Sequence, residues 1–158
     1  MAEHPVPDEA MLRQAGLRDV PFDWQDPLRL DSLLSEEERL IRDSARDYAQ
    51  GRLMPRILQA NRHETFDVEV MRELGELGFL GATIQGFGCA GISYVGYGLI
   101  AREFERVDTA FRSALGVQST LSMMPIYLFG SQAQREQFLP AMARAERLGC
   151  FGLTEPDH

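Results

Sequence analysis

Residues 102–130, REFERVDTAFRSALGVQSTLSMMPIYLFG, decide the fold. The stretch reads as the end of one helix, a short break at Val107-Asp108, and a second, long helical segment that Asp108 caps. Apolar residues recur at Ala110, Ala114, Val117 and Leu121, the spacing of a helix face turned to a core. Another stripe of the same helix carries Arg112, Gly116 and Ser119: a cation, a side-chain gap and a hydroxyl, which together make the wall of a polar pocket. Arg112 also stands four residues after Asp108, so a surface ion pair worth roughly 0.3 kcal/mol explains the same residue.

Working outward, Ser93 opens a preceding helix whose predicted buried side is Val95, Leu99, Ile100, Phe104 and Val107. Before it lies a run with Gly81, Gly86, Gly88 and Gly91, expected as a long flexible connection. It holds neither GxGxxG nor GK[ST], so nothing in it marks a phosphate loop. A helix over 67–77 turns Val70, Met71, Leu74 and Leu77 inward, and Gly78 closes it. Ser35 with Glu38 forms a capping box for the first clear helix, and Glu36 and Glu37 add charge where the helix dipole favours it. Its expected stripe is Leu40, Ile41, Ala45, Tyr48, Ala49 and Leu53, with Pro55 limiting the far end. Residues 1–34 carry Pro5, Pro7, Pro21 and Pro27, leave room for a short helix over 8–15, and form an arm that anchors by the aromatics around Trp24.

On the other side, the central helix is expected to kink near Pro125. Ser131 caps one more helix, which Pro140 should break into two pieces. Residues 149–154, GCFGLT, form the one convincing strand, and Glu155-Pro156 turns it. A lone strand leaves its backbone donors and acceptors unpaired. The chain therefore ends as though a β domain were about to begin. The expected organisation is an arm over 1–34, a mainly α, up-down helical domain over 35–148, and the start of a truncated β domain over 149–158.

Composition excludes several classes. The 158 residues carry a formal charge of −8 and no lysine, with arginines scattered among acids, which argues against nucleic acid or an anionic membrane as partner. Cys89 and Cys150, with His4, His63 and His158, are too scattered for a metal site or a triad. No segment approaches the ~20 apolar residues of a membrane span, and the acidic N-terminus is neither a signal nor a transit peptide.

Five helices followed by Phe-Gly-Leu-Thr-Glu-Pro resemble the N-terminal part of the acyl-CoA dehydrogenase family. Within it, FDWQDPL, MPRI at 54–57, GFGCAG at 86–91, ERVDTAFRSALGVQS and GCFGLTEP are similar to the glutaryl-CoA dehydrogenases. The resemblance implies FAD, dehydrogenation of an acyl-CoA between its α and β carbons, and, for glutaryl-CoA, decarboxylation to crotonyl-CoA. It implies electron-transferring flavoprotein as acceptor, a homotetramer for the full-length enzymes, and the cytoplasm of a bacterium or the mitochondrial matrix. It makes Arg112, with its hydroxyl neighbour Ser113, the ligands of the substrate's far carboxylate, and Glu105 the acid of the same site that orients Arg112. It makes Phe151, Leu153 and Thr154 the flavin contacts. The family's catalytic base is a glutamate in a C-terminal helical domain, so this chain alone is expected to be inactive. Two other readings stand beside this one: an acyl-CoA dehydrogenase for a different acyl group, and a non-catalytic helical module or gene remnant.

Overall fold

The computed structural model describes residues 23, 24 and 26–157. The chain divides into two compact units, Met1–Ser35 and Glu36–His158, each described by itself. In the first, Asp26 starts a 3₁₀ turn at Leu30–Leu33: its two carboxylate oxygens accept from the Leu30 and Asp31 N–H groups, each at 2.8 Å. The helix expected over 8–15 lies outside the described residues.

The second unit is helical: α1 Glu36–Tyr48, α2 Met54–Arg62, α3 Glu69–Glu76, α4 Tyr94–Glu105, α5 Thr109–Gly116, α6 Met124–Phe129 and α7 Gln132–Ala143. Two π-helical segments, Ala49–Leu53 and Val117–Met123, join α1 to α2 and α5 to α6. Each runs into a Met-Pro pair, Met54-Pro55 or Met124-Pro125, with the proline in the first turn of the next helix. A proline ring crowds the carbonyl four residues back and offers it no N–H. One widened turn makes room, so the helix continues past the proline. Pro55 therefore does not end the first helix, and Pro125 marks the widened turn. Pro140 does not break α7 either, which runs on to Ala143. The carbonyl it fails to bond belongs to Glu136, which is exposed to water.

Side-chain pairs set the helix directions. Ser93 donates to Glu38 at 3.0 Å and Arg46 reaches Glu103 at 3.5 Å, so α1 and α4 run parallel. Phe104 sits at the centre, 5.9 Å from the Tyr48 ring and 5.8 Å from Phe79. Leu53, Leu74, Leu80, Ile84, Ile100, Leu115, Met123 and Leu139 complete a fully buried core.

The predicted buried face of the central helix is corrected. Phe111, Leu115, Gln118, Ser119 and Met123 point inward, while Ala110 and Leu121 are exposed and Ala114 and Val117 are half-buried. The π segment adds a residue to a turn, so one period cannot be carried from residue 110 to 121. Burying a phenyl ring is also worth about 2 kcal/mol more than leaving it in water, far beyond what an alanine offers. Val95, Leu40 and Leu77 are likewise exposed. Gly96 faces inward instead of Val95, because Ile41 and Ile92 press to 3.2 and 3.3 Å of where its Cβ would stand.

The glycine-rich run is a folded loop rather than a loose connection. Leu80, Ala82 and Ile84 are buried in it, and Ile84 and Ile92 close it with backbone bonds of 2.8 Å to Gly81 and Ala82. No strand forms among the described residues. Residues 148–155 have no regular secondary structure, because a strand needs a neighbour to hydrogen-bond with.

Candidate functional site

The three-residue turn after Glu105 sends α5 back antiparallel to α4. Asp108 caps α5, its Oδ1 accepting from the Ala110 N–H at 2.8 Å. That leaves Arg112 to another carboxylate. Its Nε donates to Glu105 Oε2 at 2.8 Å, and the Thr109 hydroxyl donates to Oε1 at 2.7 Å. The surface pair between Asp108 and Arg112 is not formed. The Arg112 guanidinium, hydrogen-bonded to Glu105, holds that carboxyl below the usual glutamate range, with Thr109 helping. Among the described residues Nη1 and Nη2 of Arg112 make no bond, and the side chain is 43% exposed. Glu105 thus fixes the guanidinium by one edge and leaves its end-on fork open, which is the geometry that takes a second carboxylate. Ser113 sits half-buried next to it on α5.

Farther along the same helix Ser119 is 3% exposed, and its Oγ accepts from the Gly81 N–H at 2.9 Å. The backbone approaches this closely because residue 81 is glycine. Its φ is +61°, and a Cβ there would run into the Met123 methyl and come within 3.2 Å of the Cys89 sulfur. Tyr97, on the α4 stripe that ends at Glu105, is half-buried against the core. Burial pushes its phenol above the ordinary tyrosine range, while Ser119 and the Arg112 charge pull the other way. Sequence reasoning placed Arg112, Gly116 and Ser119 on one stripe but missed Tyr97. The i, i+4, i+8 series Tyr97, Ala101, Glu105 was the available signal.

Gln118 was also missed. Buried to 1%, it donates to the carbonyls of Met142 and Arg147 and accepts from the Gly149 N–H at 2.7 Å, tying down the point where the last segment leaves the bundle. Beyond it Phe151, Leu153 and Thr154 are exposed, and among the described residues none makes a hydrogen bond or ring contact. At Gly152, between them, a Cβ would meet nothing within 4 Å. These residues and Arg112 are not brought into contact. A cleft of about 340 Å³ lies on the other side of α5, lined by Ile57, Phe66 and Phe111, and does not include Arg112. Among the described residues, no helix is long and apolar enough to cross a membrane.

Residues 35–146 match the acyl-CoA dehydrogenase N-terminal domain, and the chain belongs to the acyl-CoA dehydrogenase family. Full-length members of this class are FAD enzymes. At finer grain, the chain is similar to a glutaryl-CoA dehydrogenase from Mycobacterium smegmatis solved in complex with FADH2: 44% identity, TM-score 0.78, covering 81% of this chain and 33% of that one. A second structure of the M. smegmatis glutaryl-CoA dehydrogenase gives 47% identity and a TM-score of 0.80 over 84% of this chain and 35% of that one. Mouse mitochondrial short-chain specific acyl-CoA dehydrogenase is 30% identical over 78% of this chain. The chain spans 30% of that relative's length.

Proposed function

We propose that this chain is the N-terminal helical part of an FAD-dependent glutaryl-CoA dehydrogenase, and that its own task is to hold the far end of the substrate. The observation that carries this is the open fork of Arg112, pinned on its other edge by Glu105 at 2.8 Å. A buried carboxylate without a partner costs several kcal/mol, on the order of 3. A guanidinium already oriented by a neighbouring acid removes that cost and discriminates against acyl groups that lack the carboxylate. In this reading Ser113, its half-buried neighbour on α5, adds a hydroxyl to the same site.

The bound flavin supplies the hydride acceptor for dehydrogenation. The chain's contribution there is the backbone of 151–154 and the Thr154 hydroxyl along the ring edge. Glu105 does not serve as proton abstractor. It is tied to Arg112 and Thr109, and the charge that holds it low makes it a poor base. We therefore assign no base to this chain and expect no turnover from it alone. Electron-transferring flavoprotein, a homotetrameric assembly, decarboxylation to crotonyl-CoA, and a bacterial cytoplasm or mitochondrial matrix belong to the same proposal.

A test joins this chain to the middle and C-terminal domains of a glutaryl-CoA dehydrogenase. The joined enzyme should convert glutaryl-CoA with release of carbon dioxide. Preference for butyryl-CoA would instead favour a short-chain acyl-CoA dehydrogenase, the reading that the 30% likeness to the mouse enzyme supports.

A further inference from the structure

We propose that Arg46, Arg102 and Arg106 form a binding site for a small phosphate monoester, mounted on the buried carboxylate of Glu103. The inference does not rest on the Arg112 reading above. Arg46 comes from the last turn of α1, Arg102 from the last turn of α4, and Arg106 caps α4. All three reach one acid. Glu103 Oε1 accepts from Arg102 Nη2 and Nε at 3.0 and 3.3 Å. Its Oε2 accepts from Arg106 Nη1 at 3.2 Å and from Arg46 Nε at 3.5 Å. Glu103 is fully buried, so the core fixes the acceptor on which the three arginines converge. The arginine side chains are 41 to 58% exposed, so a ligand in water can reach them.

Charge and geometry together select the ligand. Three cations meet one anion, which leaves two positive charges in surplus. The C-terminus of α4 offsets about half a charge of this. Neighbouring Arg42 and Asp43 pair with each other at 2.9 Å and add no net charge. Arg46 Nη1 and Nη2, Arg102 Nη1, and Arg106 Nε and Nη2 donate to nothing among the described residues. Guanidiniums held this close repel one another, and a second anion relieves the repulsion. A phosphate monoester carries close to two negative charges at neutral pH and three acceptor oxygens, one for each arginine. A carboxylate brings one charge and two oxygens. The whole chain carries a charge of −8, which repels a long polyanion or an acidic membrane and leaves a compact dianion as the occupant that fits.

The test follows the arginine Nε–H signals of this chain by NMR at fixed ionic strength and about pH 7.5, where the monoester is doubly charged. Methyl phosphate, dimethyl phosphate and acetate are titrated into the natural chain, Arg106→Gln and Arg112→Met. Arg106 is the most exposed of the three arginines, and an unchanged amide spectrum checks the fold of its variant. Methyl phosphate should move the Arg46, Arg102 and Arg106 signals together. It should bind more tightly than dimethyl phosphate, which keeps the shape but carries one charge, and more tightly than acetate. Arg106→Gln should weaken it about tenfold, the size of one hydrogen bond between charged groups. Arg112→Met should bind it as the natural chain does. Shifts confined to Arg112, or abolished by Arg112→Met, would give the phosphate to the Arg112 fork and overturn the cluster. An equal response to all three anions, or none, would show that the arginines serve only Glu103, and would overturn it as well. If Arg106→Gln does not fold, the joint movement of the three signals and the preference for the dianion in the natural chain decide the question.

Discussion

At the scale of single residues, the charges divide into a pair that leaves a fork open and a cluster gathered on one buried acid. Glu105 binds one edge of Arg112 in half-exposed surroundings. Glu103, two positions earlier, has a fully buried side chain ringed by Arg102 at 3.0 Å, Arg106 at 3.2 Å and Arg46 at 3.5 Å. Burial pushes the Glu103 carboxyl up, but the hydrogen bonds from Arg102 and Arg46 outweigh it and hold the group below the usual range. A carboxyl whose folded-state pKa is depressed contributes its full stability above the ordinary glutamate value, about 4.3, and loses it as pH falls through the lower folded value. Glu103→Gln should therefore cost about 2 kcal/mol at neutral pH, less than a fully buried broken pair because the three guanidiniums stay partly in water. Urea unfolding at pH 7 and again near pH 3 checks this, with the gap between variant and parent shrinking in acid. An equal gap at both values would show that the carboxylate charge is not what stabilises the fold.

At the scale of elements, the helix caps and the prolines teach different lessons. Ser93, Asp108 and Ser131 were legible as caps, because a short oxygen-bearing side chain before an apolar run has one local use, and each accepts the N–H bond expected of it. Two prolines inside helical stretches misled: Pro55 was expected to limit one helix and Pro140 to break another. Whether a proline ends a helix depends on whether a widened turn or water can satisfy the orphaned carbonyl, and neither is written in the local sequence. The core face of the central helix is carried by Phe111 and Leu115 rather than by its alanines, because the larger apolar side chains gain more from burial. The glycine loop was misjudged because its glycines look like freedom when read alone. Gly81 is there for a close approach to Met123 and Ser119. Gly81→Ala should lower stability by about 2 kcal/mol through strain at positive φ and the methyl clash. The melting temperature should fall by about 6 °C. An unchanged melting curve would mean that the loop is not held as described.

At the scale of the whole molecule, the helical class was legible from periodicity and caps. The proposed substrate site takes its charged members, Arg112 and Glu105, from the resemblance, and the structure adds the bond between them. Gln118 was not legible, since it looks like an ordinary residue until a loop is folded against it. The strand expected at 149–154 shows the same dependence in reverse: the sequence favours a strand, and among the described residues no neighbouring strand pairs with it. All of these pieces serve one claim about specificity, that Arg112 receives a carboxylate at the far end of the acyl chain. The most direct measurement is kcat/KM of the joined enzyme for glutaryl-CoA and for butyryl-CoA, before and after Arg112→Met. The account predicts a loss of about 100-fold for glutaryl-CoA, the size of a charge-assisted hydrogen-bonded pair, with butyryl-CoA little changed. An equal loss for both substrates, or none for either, would contradict it.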